Sequence, residues 1–398
     1  MAAATERLIT PARYLLFDPV QNEGMSMQRS ILSFFLRRAM ELGVVLVLPR
    51  CRLLARHSSA LNHQMARASS GFEYLPWSTL YNKSALAALH PVVEMTDDFP
   101  GRTPLTFYLW VGAGCDRIQN ASAQRRLLLS GFGVRVRSFT CEHDGPDSFP
   151  TLYRLTRAAD FVALANSNSI LPLHGAQQLR PYMRFTDALY AAAAAFIWRV
   201  LGGASFLAVH WRRGDFVGLR DSMIVHPASR VVSAVRTLRR RLGVQRVFLA
   251  SDAPPHDAEL QQLQAILQPV RVTRADVTSD LLIVDPKASA GVSRSALARA
   301  QLAHLESAVC AMAPFFVGSA DSSFSLTILE ERLSVFGHAE GTGGEMHGDR
   351  LRGMQSQHGR LRLQPLPLPA RPPFLRVQPP RTVAEVRAWE IGQRRVQG

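Results

Sequence analysis

Apolar residues along this chain alternate between short continuous runs and longer stretches with helical spacing, the pattern that an alternating strand and helix fold leaves in a sequence. Residues 13–18 (RYLLFD) form a run of strand type that ends at Pro19 and the polar loop Gln21, Asn22, Glu23, Gly24. From Gln28 to Leu42 the apolar positions Ile31, Leu32, Phe35, Leu36 and Met40 recur near a 3.6-residue period, and Gly43 closes the helix. Val44 to Leu48 is a second buried strand, closed by Pro49. This βαβ order places Glu23 at the C-terminal end of the first strand.

The stretch from Cys51 to about Arg180 is less regular. Strands are predicted at His90–Met95, Thr106–Val111 and Phe161–Leu164, with an amphipathic stretch near Ala123–Ser130. Beyond Arg184 the pattern clears. A helix is predicted from about Thr186 to Leu201, a strand over Ser205–Val209, a loop over His210–Asp215, a helix over Ala228–Leu242 and a strand over Arg246–Ala250. A helix over His256–Leu267, a strand at Leu281–Val284, a long helix over Ser293–Met312, a strand at Phe315–Gly318 and a helix through Glu331 complete the run. Two separated stretches of this kind predict an α/β protein with two doubly wound domains facing one cleft, residues 1–183 and 184–337. Residues 338–398 are rich in glycine, proline and arginine and predict a mobile tail.

Composition narrows the picture. Hydrophobic residues make up 47% and charged residues 19% of 398, so the chain can bury a large core and is neither fibrous nor disordered throughout. The net charge of +15 suggests a polyanion partner, yet Lys83 and Lys287 are its only lysines and the arginines are spread along the whole chain. A nucleic-acid surface is a clustered stripe on a recognisable fold, so no nucleic-acid partner is expected. Residues 188–209 are the most apolar stretch, but Arg199 and the Gly202–Gly203 turn break it, so no membrane span is expected. The first residues lack the apolar segment of a signal peptide. Cys51, Cys115, Cys141 and Cys310 have no CxxC spacing, which argues against a structural zinc site and leaves one or two disulfides open.

Three constellations carry candidate chemistry. VHWRRGD, Val209 to Asp215, follows a buried strand, and adjacent arginines there suit an anionic ligand, one facing the ligand while the other pairs with Asp215. QNEGMS, Gln21 to Ser26, occupies a strand-to-helix turn where backbone N–H groups can hold a phosphate, and Glu23 beside it suits a general base for an acceptor hydroxyl. FFVGSADSSF, Phe315 to Phe324, places Ser322 and Ser323 in another such turn, able to hydrogen-bond a diphosphate, with Phe324 as a packing face for a base or sugar.

Taken in order, these pieces resemble the GDP-fucose protein O-fucosyltransferase family, and within it the protein O-fucosyltransferase 2 branch. RYLLFDPVQNEGMSMQRS is similar to the family's first strand and phosphate loop, LGGASFLAVHWRRGDF to its turn, strand and HxRRxD motif, VFLASDA to its next strand, and FFVGSADSSFSLTILEERL to its C-terminal donor motif. The resemblance runs from about Arg13 to Gly337 and is weak between Cys51 and Arg180.

It implies a GT-B glycosyltransferase that needs no metal or other cofactor, takes GDP-β-L-fucose as donor substrate, and moves fucose with inversion to a Ser or Thr hydroxyl. The acceptor it implies is a folded, disulfide-bonded protein domain of thrombospondin-repeat type, met in the lumen of the endoplasmic reticulum. By position, Glu23 is then the catalytic base and Arg212 neutralises charge on the leaving GDP. Glu331 is an acidic residue needed for activity that supports the donor loop. Asn22, Gly24, Met25, Ser26, His210, Trp211, Glu306, Ser323 and Phe324 are donor-binding positions. Ser26 replaces the family's Asn, Glu306 its Asp, and Gly214 stands where Lys is common. The resemblance also implies a Cys115–Cys141 disulfide, with Cys51 and Cys310 free. Competing readings are transfer to a glycan, since the HxRRxD motif is shared more widely, and a non-catalytic nucleotide-sugar-binding scaffold.

Overall fold

The first apolar run is strand β1, Tyr14–Asp18, and the periodic stretch after it is helix α1, Met25–Leu42. The chain returns as β2, Val45–Leu48, parallel to β1 with Tyr14 opposite Val45. In this computed structural model the described residues are 13–18, 25–53, 73–95, 107–111, 139–142, 161–166, 177–214, 216–219, 225–273, 294–319 and 322–336. The predicted strand at Leu281–Val284, the amphipathic stretch near Ala123–Ser130 and the tail 338–398 lie outside them.

Two compact units partition the chain, one formed by Met1–Arg56, Leu61–Met183 and Val284–Ser293, the other by His57–Ala60, Arg184–Ile283 and Arg294–Gly398. In the first unit, β3 (Cys51–Leu53) and β4 (Glu73–Leu75) pair antiparallel, and α2 (Lys83–Leu89) precedes β5 (Val92–Glu94). With β6 (Phe107–Val111), β7 (Phe139–Glu142) and β8 (Phe161–Asn166) the unit builds a six-stranded parallel sheet in the order β5-β2-β1-β8-β6-β7. Leu15, Leu16 and Phe17 of β1 and Ile31, Leu32 and Phe35 of α1 are all buried, and Phe17 stacks on Phe35 at 4.7 Å. One buried carboxylate is held inside this unit. Glu94 accepts the backbone N–H of Ser78 at 2.8 Å and its hydroxyl at 2.7 Å, which replaces the water it gave up.

The second unit begins with α3, Asp187–Leu201, which stops at Gly202 and Gly203, both with φ of 64°. A side chain at Gly203 would also collide with the Trp198 ring. The chain then enters β9, Phe206–Trp211, buried along its whole length, followed by the short α4, Phe216–Leu219. Helix α5 is Ala228–Leu242, β10 is Arg246–Ser251, α6 is Ala258–Leu267, α7 is Arg294–Met312, β11 is Phe315–Val317 and α8 is Ser323–Ser334. The described strands form a parallel sheet in the order β10-β9-β11. Chain order therefore runs from β9 to one side and then crosses to the other, so β9 is a point where winding reverses. Ligands of parallel α/β sheets bind at the carboxyl end of such a strand.

The core on one face of this sheet joins Leu207, Val209 and Trp211 of β9 to Val231, Val232 and Val235 of α5 and Leu260 and Leu263 of α6. Cys51 and Cys310 are free, buried thiols, and burial pushes both up in pKa. Cys115 and the side chain of Cys141 lie outside the described residues. Among the described residues no helix is long and apolar enough to cross a membrane.

Candidate active site

Strand β9 runs two residues further than its apolar run predicts, so His210 and Trp211 are strand residues and the loop begins at Arg212. Strand alternation then sends their side chains to opposite faces. Trp211 packs into the core, 2% exposed, and its indole N–H donates to the carbonyl of His226 at 3.0 Å. Trp211, expected as a donor-binding position, thus has its side chain in the core of the sheet. His210, buried on the other face, has Nδ1 2.6 Å from the Ser325 hydroxyl and its ring 4.7 Å from that of Phe324.

The two arginines after the strand divide their roles. Arg212 Nη1 lies 2.9 Å from Asp252 Oδ2 and its guanidinium is over the Phe216 ring. Arg213 turns the other way, donating from Nε to Asp257 at 2.8 Å and from Nη1 to Glu259 at 3.0 Å. Asp257 caps α6 by accepting the N–H of Leu260, and Glu259 also accepts the N–H of Ala228 at the start of α5. Arg213 is thus structural, with carboxylates of α6 as partners. Asp215, its expected partner, lies outside the described residues. Burial pushes the Asp257 carboxyl up, but the Arg213 hydrogen bond, the Leu260 N–H and the Arg213 charge outweigh it and hold the group below the usual carboxylate range.

The backbone of this corner is fixed from both flanking strands. Asp252, just past β10, accepts the N–H of Arg213 on Oδ1 at 2.8 Å. Ser319, just past β11, accepts the N–H of Arg212 at 2.8 Å and donates to the carbonyl of His210 at 3.1 Å. Gly214 has no room for a side chain, since a Cβ there would lie 2.4 Å from Asp252 Oδ2. Asp252, Ser319 and Ser325 were not singled out from sequence. For the first two a signal was present: Asp252 and Ser319 are small polar residues just after the carboxyl ends of the strands neighbouring β9, whereas Ser325 lies inside the first turn of α8.

Helix α8 starts beside His210. Ser322 is its N-cap, its hydroxyl accepting the N–H of Ser325 at 3.4 Å, and Ser323 and Phe324 are the first two helical residues. Their N–H groups and the positive end of the helix dipole favour an anion. Glu306, on α7, keeps part of its side chain open to solvent, but its carboxyl is surrounded closely enough that burial raises its pKa to about 8, with the Arg271 charge pulling down and Asp252 pushing up. Glu331 stands apart from this group. It is fully buried, accepting the hydroxyl of Tyr190 of α3.

In the first unit, Met25 and Ser26 form the start of α1, which begins three residues earlier than the apolar period predicts. Asn22, Glu23 and Gly24 lie outside the described residues. The structure thus brings together His210, Arg212, Ser323 and Phe324, with Glu306 linked to them through the charge of Asp252.

A family model described as GDP-fucose protein O-fucosyltransferase matches residues 14–334. GDP-fucose protein O-fucosyltransferase 2 of Drosophila melanogaster is 27% identical over 399 residues, covering 81% of this chain and 76% of that protein. The Caenorhabditis elegans protein of the same name is 23% identical over 386 residues, covering 80% and 83%. The crystal structure of POFUT1 in complex with GDP-fucose is similar with a TM-score of 0.57 and 16% identity, covering 81% of this chain and 95% of that one. This last likeness shows the fold, an α/β architecture of GT-B type.

Proposed function

The chain belongs to the GDP-fucose protein O-fucosyltransferase family, and on that premise we propose that this enzyme moves fucose from GDP-β-L-fucose to a Ser or Thr hydroxyl of a folded, disulfide-bonded protein domain of thrombospondin-repeat type. The transfer inverts the anomeric centre, needs no metal, and takes place in the lumen of the endoplasmic reticulum. Residues 1–183 serve the acceptor side and residues 184–337 bind the donor.

The observation that carries this reading is the corner at the end of β9, where Asp252 holds the guanidinium of Arg212, Ser319 holds its backbone N–H, and His210 meets the first turn of α8 through Ser325. A fixed cation and a helix N-terminus served by the end of one strand suit the diphosphate of a nucleotide sugar. His210, Ser323 and Phe324 hold that diphosphate, Glu306 adds a donor contact from α7, and Asn22, Gly24, Met25 and Ser26 line the donor. Glu23 takes the proton of the acceptor hydroxyl as its oxygen attacks C1 of fucose. The bond from C1 to the β-phosphate oxygen breaks, and its electron pair leaves with GDP. Arg212, with five N–H donors, meets that growing charge while keeping Asp252. Glu331 acts through α8 from the core.

Titrating the chain with GDP, GDP-fucose and GDP-mannose in chelator, then offering folded repeats and free glycans in parallel, tests the reading. Metal-independent binding of GDP and GDP-fucose, followed by a one-fucose mass gain on the repeat, is the expected result. A folded sample that binds no GDP overturns the donor site, and transfer to glycans alone overturns the acceptor class.

A further inference from the structure

We propose that Ser325 is a positioning residue: it donates its hydroxyl proton to His210 Nδ1, fixes the neutral ring as the Nε2–H tautomer, and so aims an N–H at the donor diphosphate. The inference rests on the reading that this corner holds a nucleoside diphosphate.

The argument begins with the serine. Ser325 is fully buried, and its hydroxyl meets His210 Nδ1 at 2.6 Å. A buried O–H must donate somewhere, because it has given up the water that would otherwise accept its proton. Among the described residues the acceptor in reach is that ring nitrogen. If Nδ1 carried the ring proton it would compete with the serine proton for one short contact. The hydroxyl therefore donates, Nδ1 accepts, and the proton of the neutral imidazole is on Nε2.

The surrounding chain keeps this pair in register. Ser325 is the third residue of α8, placed by the Ser322 cap on its own N–H. Gly318 makes the space: a Cβ there would lie 2.7 Å from the Ser325 hydroxyl oxygen and 2.8 Å from its Cβ. Phe324 packs on the imidazole, and Ser319 ties the carbonyl of His210 to the N–H of Arg212. One short segment, residues 318–325, thus supplies the anion-binding helix start and sets the tautomer beside it.

Nitrogen-15 NMR of the imidazoles in the full chain, with His210 assigned by its loss in His210→Gln, reads the tautomer without any ligand. A pyrrole-type Nε2 and a pyridine-type Nδ1 are expected, and a proton on Nδ1 overturns the proposal. A double-mutant cycle on GDP affinity separates positioning from simple support of the helix. Ser325→Ala should weaken GDP binding about tenfold with His210 present, as expected for one unsatisfied buried group. In a His210→Gln background, where an amide supplies the N–H and no tautomer exists, the same change should cost less than about twofold. Equal losses in both backgrounds overturn the positioning role. The Nε2–H tautomer in a folded chain that binds no GDP overturns the donor reading, and with it the aim of the N–H, while leaving the Ser325–His210 bond as described.

Discussion

Arg212 and Arg213 are neighbours in sequence, yet one reaches Asp252 just past β10 while the other holds Asp257 and Glu259 at the start of α6. Their substitutions should therefore fail differently. Arg212→Ala is expected to lower kcat/KM by about 100-fold or more and to weaken GDP binding, the usual scale for losing a donor that meets transition-state charge. Arg213→Ala should instead lower unfolding stability by about 1–3 kcal/mol, as partners are left unsatisfied, with GDP affinity of the folded fraction kept. Urea unfolding beside calorimetric titration distinguishes the two. Gly214→Ala, a change of a single methyl, should act like a weakened Arg212, because its Cβ would displace the Asp252 carboxylate. Sequence made the arginine pair and its position after a strand legible. It did not tell which arginine turns to Asp252 and which to α6, because the deciding carboxylates lie about 40 residues onward.

At the scale of elements, boundaries were legible where the chain carries its own punctuation. Helix α5 spans the predicted Ala228–Leu242 because Pro227 precedes it and Gly243, with φ of 66°, ends it in the left-handed conformation. The start of α1 was missed by three residues since its first turn is polar and gives no apolar period. The order of β6, β7 and β8 was illegible, as parallel pairing joins strands distant in sequence and leaves no local mark. One element depends on a buried cation that periodicity does not reveal. The guanidinium of Arg332 on α8 donates to the carbonyls of Cys310, Ala311, Ala313 and Pro314, closing the C-terminal end of α7, and burial lowers its pKa to about 10. Arg332→Met should destabilise the protein by about 3 kcal/mol or more, since several carbonyls lose their donor at once, read as a fall in the urea midpoint.

At the scale of the molecule, two carboxyls give its stability a dependence on pH at both ends. Asp257 is held below its ordinary value of 3.8, so its contribution is present above that pH and is lost as acid protonates the folded form. Glu306 runs the other way. Its folded pKa of about 8, against 4.5 when exposed, means that the folded state binds the extra proton across that window and stability falls as pH rises through it. Glu306→Gln should flatten that decline, leaving the variant more stable than the parent at pH 9 and nearly equal at pH 4, in unfolding curves taken across the range.

The order of synthesis adds a consequence of the β10-β9-β11 sheet. His210 and Arg212 leave the ribosome before their partners: Asp252 follows about 40 residues later and Ser319 and Ser325 more than a hundred residues later. A truncated product ending between Asp215 and Phe315 would carry the arginine motif without the serines that hold it. Such a fragment should be unable to retain a nucleotide, however much of the first unit it has folded.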